Sequence, residues 1–143
     1  AIYDNRFAGR LEYWITDNIC IMRGLYTIIL LVLSNTFMTI AWYGHLKFKD
    51  MKWSQNLGLL SIVLISWGIA LFEYMLQVPA NRLGYTGYGG PFSLLKLKVI
   101  QEVITLVVFL IFSILFFRTE SLRPNHLIGL VFLVLAVYFV FKK

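Results

Sequence analysis

Two glutamates stand where carboxylates are costly: Glu73 in the apolar run SWGIALFEYMLQ and Glu102 in LKVIQEVITLVVF. A carboxylate inside a bilayer-spanning helix costs about 2.5 to 3.5 kcal/mol on the insertion scale unless it faces protein, pairs, or takes up a proton or cation. The chemistry open to them is therefore ion or proton binding. Lys98 lies one helical turn before Glu102 and is placed to pair with it. Glu73 has no basic residue on its own run, and an unpaired carboxylate in low dielectric favours its neutral form, so Glu73 is the group expected to exchange protons near neutral pH. The competing reading is a packing network, with Glu102 held by Lys98 and Glu73 by Arg82 or Gln77.

Other polar residues share faces with these two. Ser66, Glu73 and Gln77 fall at i, i+7 and i+11, and Lys98, Glu102 and Thr105 at i, i+4 and i+7. Asn35, Thr39 and Trp42 make a third stripe, so three helices are expected to converge on one polar interior. Asn35 alone reads first as an interhelical hydrogen-bonding residue. Trp42, Tyr43, Trp53, Tyr85 and Tyr88 read as membrane-interface anchors, with a stacking surface for an organic cation as the functional alternative. His45 reads as a solvated loop residue.

The elements that would position these groups are membrane helices. Of 143 residues, 59% are hydrophobic and only 14% charged, against roughly 25% in soluble domains. Spans are expected at about Gly24 to Gly44, Asn56 to Gln77, Leu94 to Phe117 and Pro124 to Phe141, each long enough for a core of about 30 Å. Trp53 and a Ser54 cap would introduce the second. Pro79 disfavours helix at Val78, so the second span should stop there and Val78 to Phe92 should form an irregular loop, with Arg82 capping the helix end or folding back toward Glu73. Arg118, Glu120 and Arg123 mark a tight turn before the fourth span. The result is an all-α bundle of four antiparallel transmembrane helices with both termini on one side. Residues 1–21 differ in composition and read as an N-terminal extension, either an interfacial helix or an appended, non-native segment, ahead of a four-helix domain over residues 22–143. Basic residues number eight on the terminal side and five on the other, favouring termini inside; without residues 1–21 the balance is six to five, and dual insertion stays open. On the fourth helix Gly129 and Ala136 are seven apart on one face, suited either to packing within the bundle or to a homodimer contact.

The net charge of +6 does not point to nucleic acid, because the basic residues flank apolar runs. One cysteine, Cys20, excludes an intrachain disulfide, and the two histidines, His45 and His126, stand far from any metal-ligand cluster. No phosphate loop or nucleophile motif is present; no cofactor and no enzymatic activity are expected.

The segments SNTFMTIAWYGHLKFK (Ser34 to Lys49), SWGIALFEYMLQVPANRLGY (Ser66 to Tyr85) and LKVIQEVITLVVFLIFS (Leu97 to Ser113) closely resemble a family of short four-helix bacterial membrane proteins of unknown function, grouped with the drug/metabolite transporter superfamily. The resemblance runs from Met22 to about Phe141. It implies a multi-pass protein of the bacterial inner membrane with a transport role. Small relatives in that superfamily are multidrug exporters working as antiparallel dimers around a first-helix glutamate. Here the first span carries Asn35 and no acid, so a proton-coupled carboxylate would have to be Glu73 or Glu102. The expected function is a small, proton-coupled, transporter-like protein for an organic solute; the rival is a non-transporting accessory subunit of a larger membrane complex.

Overall fold

In the computed structural model, residues 2–48, 51–52, 56–117 and 123–142 are described, with side chains described from residue 9 and not at 48. The expectations for Lys49, Trp53, Ser54, Arg118 and Glu120 lie outside the described residues. The chain is all-α: α1 (Ile2–Phe48), α2 (Leu59–Gly84), α3 (Leu94–Phe117) and α4 (Pro124–Phe141), with a single turn of 3-10 helix, Thr86–Tyr88, between α2 and α3. All four long helices are long and apolar enough to cross a membrane. At 47 residues α1 spans about 70 Å, more than twice the hydrocarbon thickness. Residues 2–21 are thus one continuous helix with the first span, and every side chain from Gly9 to Ile19 is exposed.

Contacts fix the register. Thr27 meets Gly84 and Ser34 meets Gln77, so α2 runs antiparallel to α1. Gly24 meets Phe92, Asn35 meets Thr105 and Tyr43 meets Phe109, so α3 runs parallel to α1. Lys96 sits 5.1 Å from the Phe141 ring centroid, which sets α4 antiparallel to α3. α1 is the central helix, flanked by α2 and α3, and α4 rests on α3.

The packing solution is the inverse of a soluble core. Among the described residues the buried apolar side chains are Leu31, Ala41, Ala80, Leu97 and Phe112, while Thr27, Ser34, Asn35, Thr39, Gln77 and Ser113 are buried and polar. Lipid is as apolar as leucine, so large side chains have no reason to turn inward; small and hydrogen-bonding residues gain by meeting each other. Thr27, Ser34 and Ala41 repeat every seven residues on α1, and Gln77, Ala80 and Gly84 answer them on α2. A Cβ on Gly84 would lie 2.7 Å from Thr27 Cγ2 and 2.8 Å from Leu97 Cδ2, so only glycine lets three helices close at that point.

The second helix does not stop at Pro79. It continues to Gly84, with the proline inside it, and the connection shrinks to Tyr85–Ser93. Proline deletes one helical hydrogen bond, and membrane helices tolerate that where neighbouring groups and small local adjustments compensate. The short connection is ordered by its own backbone: Phe92 N–H donates to Gly84 O (2.8 Å), Thr86 N–H to Phe92 O (2.9 Å) and Gly90 N–H to Tyr85 O (2.9 Å). Gly89 takes a left-handed φ of 77°, and Arg23 Nη1 donates to its carbonyl at 3.1 Å, tying the loop to α1.

Candidate functional site

The polar centre of the bundle is built on α1. Asn35 donates through Nδ2 to Leu31 O (2.8 Å) and accepts at Oδ1 from the Thr105 hydroxyl (2.5 Å). That hydroxyl also lies 2.8 Å from Gln101 O, and with one hydrogen it serves one acceptor at a time. On the neighbouring face of α1, Ser34 Oγ donates to Gln77 Oε1 at 2.7 Å, with the Glu73 carbonyl oxygen a more distant second acceptor at 3.3 Å. Among the described residues no buried side-chain polar atom lacks a hydrogen-bond partner. Asn35 and Ser34, adjacent in sequence, thus bind α3 and α2 respectively.

Glu73 lies beside this seam, partly buried, on the α2 face that carries Ser66 and Gln77. It is eleven residues, about 16 Å of helix, before Gly84. A second span ending at Gln77, as the sequence predicts, would set it one turn from the helix end; the longer α2 sets it close to mid-helix. Its carboxylate has no hydrogen bond or ion pair among the described residues. Arg82 does not fold back toward it or cap the helix end; it is in the last turn of α2 with its guanidinium 5.6 Å from the Tyr88 ring centroid. Gln77 is committed to Ser34.

Glu102 differs. Lys98 Nζ lies 2.5 Å from its Oε1, and the two side chains are 65% and 57% exposed, directed away from the α1 interface. The three expected stripes therefore converge only in part. Asn35 and Thr105 meet, Gln77 joins through Ser34, and the Lys98–Glu102 pair stays outside.

A crevice of about 410 Å³ opens between the C-terminal end of α1 and the N-terminal end of α2, walled by Trp42, His45, Trp67, Ser66 and Ala70. Ser66 and Ala70 continue along α2 to Glu73, the latter within one turn of it. A second hollow of about 200 Å³ lies between α1 and α3, bordered by Trp42, Tyr43, Thr39, Thr105 and Phe109; the Tyr43 and Phe109 rings are 4.9 Å apart. Trp42 borders both. His45 is in the last turn of α1, half-buried in the crevice wall, and is not the solvated loop residue expected. The site also takes in Ser34, His45 and Trp67, none of which the sequence marks out as a contributor. Ser34 had a readable signal in its seven-residue spacing from Thr27 and Ala41; the other two required the pairing of α1 with α2.

With this geometry in view, the family model described as "Putative member of DMT superfamily (DUF486)" matches residues 27–141. The chain belongs to this family. The match takes in the Ser34/Asn35 seam, Glu73, the aromatic crevice and α4. No curated protein and no solved structure matches the chain.

Among the described residues no cluster of His, Cys, Asp and Glu has the makings of a metal site. What the arrangement offers is a mid-helix carboxylate without a side-chain partner among the described residues, beside a hydrogen-bonded seam and near an aromatic crevice.

Proposed function

We propose that this chain is a small transporter-like protein of the bacterial inner membrane that couples the movement of an organic solute to proton exchange at Glu73. The carrying observation is the position of Glu73: mid-helix, partly buried and without a side-chain partner among the described residues. A purely structural carboxylate would be expected to hold a partner at that depth, as Glu102 does, because an unpaired one is costly. The crevice of Trp42, Trp67 and Ser66 provides ring faces for a planar or cationic solute within reach of Glu73's helix face. Family membership supports transport as the class of activity. Four helices enclose little volume, and the Lys98–Glu102 pair is left on the outside of one copy, so the working unit is taken as a homodimer.

The rival reading, an accessory subunit of a larger complex, draws on α4, none of whose side chains is buried. The experiment that separates them is reconstitution into liposomes with an imposed pH gradient, followed by addition of a panel of organic cations, anions and neutral solutes. At least one solute class should accelerate dissipation of the gradient. Glu73→Gln should remove that acceleration, and Glu102→Gln should retain most of it. No acceleration by any class would favour the accessory reading; acceleration lost in Glu102→Gln and kept in Glu73→Gln would invert the assignment.

A further inference from the structure

Between α3 and α4 lies a crevice of about 580 Å³, inside the range of roughly 300 to 1,000 Å³ typical of ligand sites. Its polarity is graded along the membrane normal. Ser113, four residues from the end of α3, and Asn125 and His126, in the first turn of α4, line one end, whereas Leu106, Leu130 and Leu133 line the deeper part. Apolar walls that end in hydrogen-bonding groups at the helix termini have the layout of a lipid, with tail inside and head at the interface. None of the lining residues is acidic. Among the described residues the charge beside the mouth is positive: Arg123 immediately precedes α4 and is exposed, and the positive end of the α4 dipole points the same way. The backbone N–H of Arg123 donates to His126 Nδ1 at 3.3 Å, so in the neutral ring the hydrogen sits on Nε2, which is left as a donor.

We propose that this crevice binds an anionic membrane phospholipid, one acyl chain lying between α3 and α4 and the phosphate held by Arg123, His126 and Asn125. The occupant follows from the donors. A second copy's α4 would fill the apolar part, but from Leu127 to Phe141 that helix has no anionic or carboxyl group to meet a guanidinium and a ring N–H. A phosphate meets both. The lipid completes the packing of a helix that has no buried side chain of its own. This site is separate from the Glu73 seam, and it stands or falls independently of transport.

The test uses the full chain in mild detergent, titrated with phosphatidylglycerol and with phosphatidylcholine of the same chain length and observed by native mass spectrometry. The parent should retain phosphatidylglycerol about fivefold more strongly, the preference expected from one arginine near a lipid headgroup. Arg123→Gln should bring the two lipids level. Gly129→Leu should cut retention of both, since a Cβ at Gly129 meets nothing within 4 Å and the new side chain can enter the crevice it lines. Leu133→Trp fills the same space further along and serves should the first variant lose helical content. A photoactivatable acyl chain should label residues 106–114 or 129–133. Equal retention of both lipids by the parent, an unchanged preference in Arg123→Gln, full retention in both filling variants, or labelling confined to other helices would each overturn the site. So would a parent that retains no lipid and dimerises, with Gly129→Leu monomeric, which would give the crevice to a second copy.

Discussion

The α1–α2 seam and the α3–α4 crevice are both helix pairs in the same membrane, yet they are closed by different means. Along the seam, Thr27, Ser34 and Ala41 face Gln77, Ala80 and Gly84, and side chains are hydrogen-bonded across or along the helices. In α3–α4, leucines of both helices and Phe109 face an open space, and a Cβ at Gly129 would meet nothing within 4 Å. Since lipid tails compete equally well for apolar surfaces, a helix pair of large apolar residues gains little by closing, while a pair of small and polar residues gains both dispersion contacts and hydrogen bonds. The seam can therefore hold a carboxylate at fixed depth, and the crevice is left for lipid.

The sharpest way to break this contrast is to exchange glycines for valine. Gly84→Val places a branched side chain onto Thr27 and Leu97 and should destabilise the fold by about 3 kcal/mol. Gly129→Val should change stability by less than about 0.5 kcal/mol. Thermal unfolding in detergent reads both, and similar losses would mean that α4 is as tightly packed as α2.

A smaller effect is expected on the α1–α3 side. Asn35→Leu removes the bond from Thr105 and should cost about 1 kcal/mol, within the range measured for polar contacts between membrane helices. Thr105 keeps Gln101 O as an acceptor, so Thr105→Val should add little once Asn35 is gone. Strict additivity of the two would show that the hydroxyl does not bond Asn35.

The smallest effect is at the rim. Arg82→Ala loses the contact with the Tyr88 ring and should cost about 0.5 to 1 kcal/mol, read as faster proteolysis of the Tyr85–Ser93 connection rather than as loss of fold. Proteolysis at the parent rate would show that the backbone bonds of the loop, with Arg23 on Gly89 O, suffice by themselves.

These contrasts also mark what the residues disclosed unaided. Four spans were legible because twenty-residue apolar runs have few other solutions, and the Lys98–Glu102 pair because i, i+4 geometry is local. The extent of α2 was not: Pro79 crowds the helical conformation at Val78 and deletes one helical hydrogen bond, but it lies in a helix whose neighbours hold it on both sides of the break, at Gln77 and at Gly84. A helix ending at Gln77 would set Glu73 one turn from its end, whereas one ending at Gly84 sets it near mid-helix. The pairing of Asn35 with Thr105, rather than with a carboxylate, depends on how α1 and α3 rotate against each other, which periodicity leaves free. On α4 the spacing of Gly129 and Ala136 permits packing within the bundle or against a second copy; both are exposed within one copy, which removes the first, because spacing states what a face permits and not what meets it.

Proton exchange at Glu73 requires a water path to mid-membrane rather than a sealed seam. Replacing Cys20 by serine and Glu73 by cysteine gives a single thiol at that depth, which can be challenged in intact vesicles with membrane-impermeant thiol reagents from each side. Labelling from the side onto which the Trp42–Trp67 crevice opens, slowed by the solute that dissipates the pH gradient, is the predicted result. A thiol that stays unlabelled from both sides until the protein is denatured would contradict it.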